Sequence, residues 1–417
     1  MMTEKMQETV MRDRDLELYV HIPFCARKCA YCDFLSAPAD EETRKAYVRA
    51  LAAEIRGKKE EYKEYRVSTV FVGGGTPSIL DGDDTARIFA SLYESFRIRD
   101  DAEITMEVNP GTVTVEKLAA WKKAGINRLS IGLQSADDRE LRLLGRIHTY
   151  KDFLETYEQA RRAGFQNINI DLISAIPGQT LQSWETTLAK TADLEPQHIS
   201  AYSLIVEEGT PFYDRYGQKE NEESSGLLKR KQTEAWPPLP NEDEERWIYK
   251  RTKSFLEERG YHQYEISNYA RPGYECRHNL GYWDRKEYLG LGLGASSLVN
   301  NRRFHNTADM DKYMKAFRTE RSDTDIDKNI DKDIYEDVEE LSLQDCMEEF
   351  MFLGLRKTDG ISRTDFSDAF HSDINEIYGS QLKKLEKEGL LFLKDDRILL
   401  TERGTDVSNM VFVEFMF

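Results

Sequence analysis

The sequence contains no uninterrupted apolar run approaching the roughly 18 residues that a membrane-crossing helix requires, so no transmembrane helix is expected. The stretch from Met1 to Asp15 is polar and lacks the apolar core of a secretory signal, which points to a cytoplasmic protein. Cysteine is scarce: there are five in 417 residues, and three of them fall within eight positions. A secreted disulfide framework would spread an even number along the chain. A reducing compartment with thiolates free for metal fits better. Positive charge is in deficit as well. Lys and Arg number 58 against 76 Asp and Glu, for a net charge of −18. Broad nucleic-acid binding relies on a basic face, so no nucleic-acid partner is expected. The acids are unevenly placed: Asp323 to Glu340 holds nine acids and two bases, −7 by itself.

What is present suffices for a large core. The chain is 40% hydrophobic and 11% aromatic, and its length suggests one large domain with smaller ones attached. Short runs rich in Val, Ile and Leu mark strands at Leu16 to Ile22, Val67 to Val72, Glu103 to Val108, Arg128 to Leu133, Asn167 to Ile173 and His198 to Val206. Amphipathic stretches such as Glu41 to Tyr62 and Val115 to Ala124 separate them. Several of these stretches end in glycine, as at Gly125 and Gly164. Six successive βα units imply a parallel sheet with right-handed crossovers, an α/β fold of partial TIM-barrel type.

This barrel is expected to span residues 1–215. A charged insertion or linker with Pro237-Pro238-Leu239-Pro240 follows at 216–246, then a barrel-associated region at 247–318 and an acidic linker at 319–341. Residues 342–417 form a separate α+β pattern. Helical stretches at Gln344 to Lys357, Arg363 to Ala369 and Gln381 to Glu388 precede two short strands around Lys394-Asp395-Asp396-Arg397, and a final helix closes the chain. Helices followed by a hairpin are winged-helix-like. No basic stripe marks this segment, so a packing or lid role fits better than DNA contact.

The chemistry concentrates where the first strand ends. His21-Ile22-Pro23-Phe24 leads into Cys25-Ala26-Arg27-Lys28-Cys29-Ala30-Tyr31-Cys32, with C-x₃-C-x₂-C spacing. Three thiolates on one loop can each ligate a corner iron of a cubane cluster and leave the fourth iron open to a chelating ligand. A structural zinc site usually has four protein ligands, and no fourth Cys or His follows closely. Gly73-Gly74-Gly75-Thr76-Pro77 comes directly after the second strand, where glycine lets backbone approach a ligand. The third strand ends at Glu107-Val108-Asn109-Pro110, and the fourth at Gly132-Leu133-Gln134-Ser135. The fifth carries Asp171, and Arg146 follows the fourth unit. Polar groups at the carboxyl ends of successive strands form the active rim of a barrel. Gly290, Gly292 and Gly294 lack G-x-G-x-x-G spacing, so they mark a tight backbone segment and not a dinucleotide site.

The cysteine spacing with its preceding His-Ile-Pro-Phe resembles the radical S-adenosylmethionine (SAM) superfamily. That resemblance implies a [4Fe-4S] cluster on Cys25, Cys29 and Cys32. The open iron would bind the amino and carboxylate groups of SAM, and an electron would cleave the sulfonium to a 5′-deoxyadenosyl radical. It further implies cofactor-binding roles for Tyr19, Tyr31, Gly74, Gly75, Thr76, Glu107, Gln134, Arg146 and Asp171.

Over nearly the whole chain, the segments Tyr19 to Cys25, Gly73 to Pro77, Ile131 to Ser135, Gly145 to His148 and Asp171 to Gln179 resemble the oxygen-independent coproporphyrinogen III oxidase family. The decarboxylating branch carries a fourth cysteine where this chain has Phe34, and a longer segment before the first cysteine. Instead, His278-Asn279-Leu280-Gly281-Tyr282-Trp283 matches H-N-x-x-Y-W, as in the haem-chaperone branch, HemW. That branch implies haem as cargo, haem-accepting respiratory proteins and an electron donor such as a flavodoxin or ferredoxin. It also implies a cytoplasmic location reaching the membrane periphery. His278 is then a candidate haem ligand, with Tyr282 and Trp283 packing on the macrocycle. The alternative is a radical SAM oxidoreductase acting on coproporphyrinogen III or another tetrapyrrole.

Overall fold

The computed structural model describes residues 14–217, 236–317 and 334–416. Six parallel strands form in the expected order: β1 (Arg14–Ile22), β2 (Tyr65–Gly74), β3 (Arg97–Val108), β4 (Arg128–Gln134), β5 (Asn167–Ser174) and β6 (His198–Ser203). β4 is buried at all seven positions, and β1 buries Leu16, Leu18, Val20 and Ile22 completely. One face of each strand carries the Leu, Ile and Val that stand out in the sequence, while the other buries polar groups such as Glu17, Arg128 and Ser130. Each such Leu or Ile contributes about 1.5–3 kcal/mol through burial.

The helices between them start on side-chain caps. Asp40 accepts from the Thr43 N–H to open the helix Glu41–Gly57, and Thr149 with Asp152 forms a capping box for Tyr150–Arg162. Leu51, Ile55, Phe153 and Trp184 carry the helical layer onto the sheet.

The sheet extends well beyond six strands. β7 (His262–Gln263) and β8 (Asn268–Ala270) add antiparallel strands beside β6. On the other edge, β9 (Tyr288–Leu291) pairs parallel with β1. It is followed antiparallel by β10 (Ser296–Val299), β11 (Arg302–Asn306) and β12 (Tyr335–Glu340). The order is β12-β11-β10-β9-β1-β2-β3-β4-β5-β6-β8-β7, an open, partial barrel among the described residues. A buried carboxylate fastens the β9 side to the helical layer. Glu54 accepts from the Gly292 N–H at 2.8 Å, from Asn306 Nδ2 at 2.6 Å and from the Tyr313 hydroxyl at 2.6 Å.

Three sequence expectations need adjustment. The stretch 319–341 was expected to be a linker, but Tyr335–Glu340 is the outermost strand of the sheet. An edge strand tolerates acids facing solvent, and Lys312 and Arg302 pair with Glu336 and Glu340. Residues 318–333 lie outside the described residues. Within 216–246, residues 218–235 also lie outside them. Glu242 opens a helix to Glu257, capped by Asn241 with Glu244, because the charge run there is helical. The sixth strand stops at Ser203, short of Val206.

The C-terminal region has its own core around Met351, Phe366, Tyr378, Leu382 and Phe415. Helices Leu343–Gly354, Arg363–Phe370 and Ile374–Lys387 precede the hairpin of β14 (Leu391–Lys394) and β15 (Arg397–Leu400). β13 (Ile361–Ser362) pairs with β15 to complete a three-stranded antiparallel sheet. This is the helix-then-hairpin arrangement expected from the sequence. It docks on the barrel through the Thr358 N–H to the Tyr264 carbonyl at 3.1 Å and through ion pairs from Lys357 to Asp284 and from Arg285 to Glu349.

Candidate functional site

The cysteine loop leaves β1 and is pinned on three sides. The Cys25 N–H donates to the Ala37 carbonyl, the Ala30 N–H to that of Leu144, and the Phe212 N–H to that of Ala30. All three cysteines are free thiols and partly exposed. Thr76 Oγ1 donates to Cys25 Sγ at 3.3 Å while accepting from Asn109 Nδ2 at 2.7 Å. Asn109 Oδ1 accepts from Arg146 Nη2 at 2.8 Å, and Arg146 Nη1 lies 3.7 Å from Cys29 Sγ. Thr76 after β2 and Arg146 after β4 therefore present donors to two of the three sulfurs, and Asn109 at the end of β3 braces both of them. Hydrogen bonds to sulfur favour thiolate and tune a bound cluster. Among the described residues, no three His, Cys, Asp or Glu side chains converge on one ion. A cubane does not need that convergence, since each cysteine ligates a different corner.

Glycine is required where β2 meets this loop. A Cβ on Gly75 would lie 2.7 Å from the Phe24 carbonyl oxygen and 3.0 Å from Cys25 Sγ. Gly74 has φ +113°, and a Cβ there would lie 2.5 Å from the His21 ring. The Gly74 N–H donates to Glu107 Oε2 at 3.1 Å. Burial, and then the nearby Asp171, push the Glu107 carboxyl up to about 8, offset only by that N–H. Burial also raises Asp171, which accepts from Ser130 Oγ at 2.9 Å and Asn169 Nδ2 at 2.7 Å. Glu107, buried with no cationic neighbour, is suited to a cationic ligand such as an ammonium or sulfonium.

These groups surround a cavity of about 450 Å³. Cys25, Cys29, Cys32 and Tyr31 line its loop side. Gly74, Gly75, Thr76, Glu107, Gln134, Arg146 and Asp171 line its strand side. Gln134 stands at φ 69°, at a register shift between β4 and β5 that turns this strand end into the cavity wall. Asn109 and Ser130 also belong to this wall. Asn109 is the strand-end amide of the β3 motif. Nothing in the local sequence marks Ser130, which matters only because Asp171 lies opposite it.

Two expected residues fall elsewhere. Tyr19 lines a second cavity of about 550 Å³, formed with His21, Tyr282, Trp283 and Tyr288. Phe34, Gly74 and Glu107 border both cavities, so the two adjoin. Phe34 is 61% exposed at this junction.

His278 lines neither cavity. Its ring is 1% exposed, stacked on Phe71 at 5.1 Å between centroids, with Nδ1 paired to Thr69 Oγ1 at 2.7 Å and Nε2 to the Tyr282 hydroxyl at 3.1 Å. Burial lowers it to about 3, so it is neutral with both nitrogens engaged. In this arrangement neither nitrogen of the expected haem ligand is open to iron. The ring instead holds Tyr282 in the second cavity's wall. A lone histidine in a sequence motif does not reveal which way its nitrogens face.

Residues 19–190 match the radical SAM superfamily, and residues 341–407 match the HemN C-terminal domain. A protein of Lactococcus lactis named heme chaperone HemW is 35% identical over 95% of this chain and 96% of its own length. One of the same name from Bacillus subtilis is 35% identical over 95% of this chain and 98% of its own. Coproporphyrinogen III oxidase (HemN) of Escherichia coli, described as a radical SAM enzyme, superposes with a TM-score of 0.78 over 97% of this chain and 90% of its own, at 24% identity. That likeness establishes the fold. No helix among the described residues is long and apolar enough to cross a membrane.

Proposed function

The chain belongs to the HemW haem-chaperone family of radical SAM proteins, and from that premise we propose that it binds haem and delivers it to haem-requiring respiratory proteins. Cys25, Cys29 and Cys32 hold a [4Fe-4S] cluster. Gly74, Gly75 and Thr76 would hold SAM along the glycine loop, Glu107 and Asp171 would take its cationic and hydroxyl groups, and Arg146 would pair with its carboxylate. When bound, the cluster and SAM supply electron transfer and a cleavable sulfonium. Tyr31 and Gln134 close the sides of that cavity, and Thr76 and Arg146 donate hydrogen bonds to the sulfurs of Cys25 and Cys29.

The observation that carries haem binding is the second cavity. It adjoins the first, is walled by Tyr19, Tyr282, Trp283 and Tyr288, and is large enough for a flat aromatic ligand. Phe34 stands at the junction, where the decarboxylating oxidases carry a fourth cysteine. An electron donor such as a flavodoxin or ferredoxin serves the cluster. The protein works in the cytoplasm and meets its acceptors at the membrane periphery, and nucleic acid is not a partner.

The test is anaerobic reconstitution with iron and sulfide, followed by haem titration and transfer to an apo-acceptor. Protein with an intact cluster that takes up no haem would overturn the proposal. The cavity shared by Cys25, Cys29, Cys32, Glu107 and Asp171 also favours a second reading, a radical SAM oxidoreductase acting on coproporphyrinogen III or another tetrapyrrole. Vinyl product formed anaerobically from coproporphyrinogen, SAM and a reductant would select it.

A further inference from the structure

The second cavity has a charged wall that the aromatic motif does not explain. Arg285 lies one residue beyond the Asp284 cap of the H-N-x-x-Y-W helix (Arg277–Trp283), and its backbone is held at φ 54°, a region that non-glycine residues seldom enter. Arg303 projects from β11, and both guanidinium groups line the cavity. They converge on a single carboxylate. Arg285 Nε donates to Glu349 Oε2 at 2.7 Å, and Arg303 Nη2 donates to Glu349 Oε1. Glu349 is 4% exposed and lies on the helix Leu343–Gly354 of the C-terminal region, whose Leu353 also lines the cavity. Arg285 further donates to Cys346 Sγ on the same helix and to Asn301 Oδ1, each at 3.0 Å. Beside them the Trp283 indole N–H is buried without an acceptor.

Aromatic walls, two guanidinium groups sharing one carboxylate, and an unused N–H together describe a site for a flat apolar ring that carries carboxylates. We propose that Arg285 and Arg303 form a recognition subsite for the propionate carboxylates of haem, which Glu349 occupies until loading displaces it. This rests on the haem reading above and adds the chemistry of recognition. Because Glu349 belongs to the C-terminal region, exchanging its carboxylate for a propionate loosens the helix Leu343–Gly354 from the barrel. Loading and the seating of that region are therefore antagonistic.

The test compares haemin with haemin dimethyl ester, whose propionates are neutral, on cluster-reconstituted full-length protein in one buffer. The wild type should bind haemin on the order of ten-fold more tightly than the ester. Arg303→Gln should abolish that preference. Glu349→Gln should tighten haemin binding while leaving the ester unchanged, since the competing carboxylate is gone. Equal affinity for the two ligands in the wild type, or a preference that survives in Arg303→Gln, would overturn the subsite and leave haem binding standing. If neither ligand binds, the haem reading falls and the subsite with it. The wild-type comparison needs no variant, so a poorly folding mutant does not blunt the result.

Discussion

Replacing His278 with alanine separates an iron ligand from a structural strut. In the folded protein the ring is enclosed, stacked on Phe71 and bonded at both nitrogens to Thr69 and Tyr282. Its removal forfeits two buried hydrogen bonds at about 1 kcal/mol each, leaves two hydroxyls short of a partner and opens a cavity of ring size. The expected cost is about 3–5 kcal/mol, read as a lower urea midpoint at unchanged slope. The pH dependence checks this independently. Burial lowers His278 to about 3 from the 6.5 of an exposed ring. Below about pH 6.5 the unfolded chain therefore binds a proton that the folded chain refuses, and stability falls as acid is added. The variant loses that part of the acid slope. Iron and sulfide content should match wild type, because His278 lies outside the cysteine cavity. The absorption band of bound haem should keep its position even where affinity drops with a displaced Tyr282. A variant as stable as wild type whose haem band moves would refute the reasoning and restore His278 as a ligand.

Gly75→Ala should cut reconstituted iron content sharply, because its Cβ would lie 2.7 Å from the Phe24 carbonyl and 3.0 Å from Cys25 Sγ; iron and sulfide analysis at wild-type levels would contradict this. Gly281→Ala should destabilise by about 1–3 kcal/mol in urea unfolding, since its Cβ would lie 2.0 Å from the buried Glu17 carboxylate; an unchanged midpoint would show that Glu17 moves freely. Burial raises Glu17 and Glu107 to about 8 from 4.5. Between about pH 4.5 and 8 the unfolded carboxyls ionise while the folded ones stay protonated, so both groups take stability away as pH rises through that window. Glu107→Gln should flatten the decline of the cofactor-free protein between pH 6.5 and 8, and an identical slope in thermal melts would count against the buried carboxyl.

The sequence by itself determined the cysteine loop, the glycine loop and six parallel strands, because each rests on local pattern. Thiolate spacing reaches over one loop, glycine is demanded by a backbone angle at Gly74, and each strand carries a row of Leu, Ile or Val on the face packed against the helices. The helix-then-hairpin order of the C-terminal region was legible for the same reason. Tertiary structure decided the rest. β12 emerged from an acidic stretch because β11 offered it an open edge, and acids on an outer strand can face water. The orientation of His278 depends on Thr69 and Phe71, more than 200 residues away, and no motif encodes which way a ring nitrogen points. Tyr19 went to the second cavity and not the first because β1 borders β9 as well as β2. Arg285, Arg303 and Glu349 come from three separate elements, so only the docking of the C-terminal helix on the barrel brings two cations and one carboxylate together beside an aromatic wall.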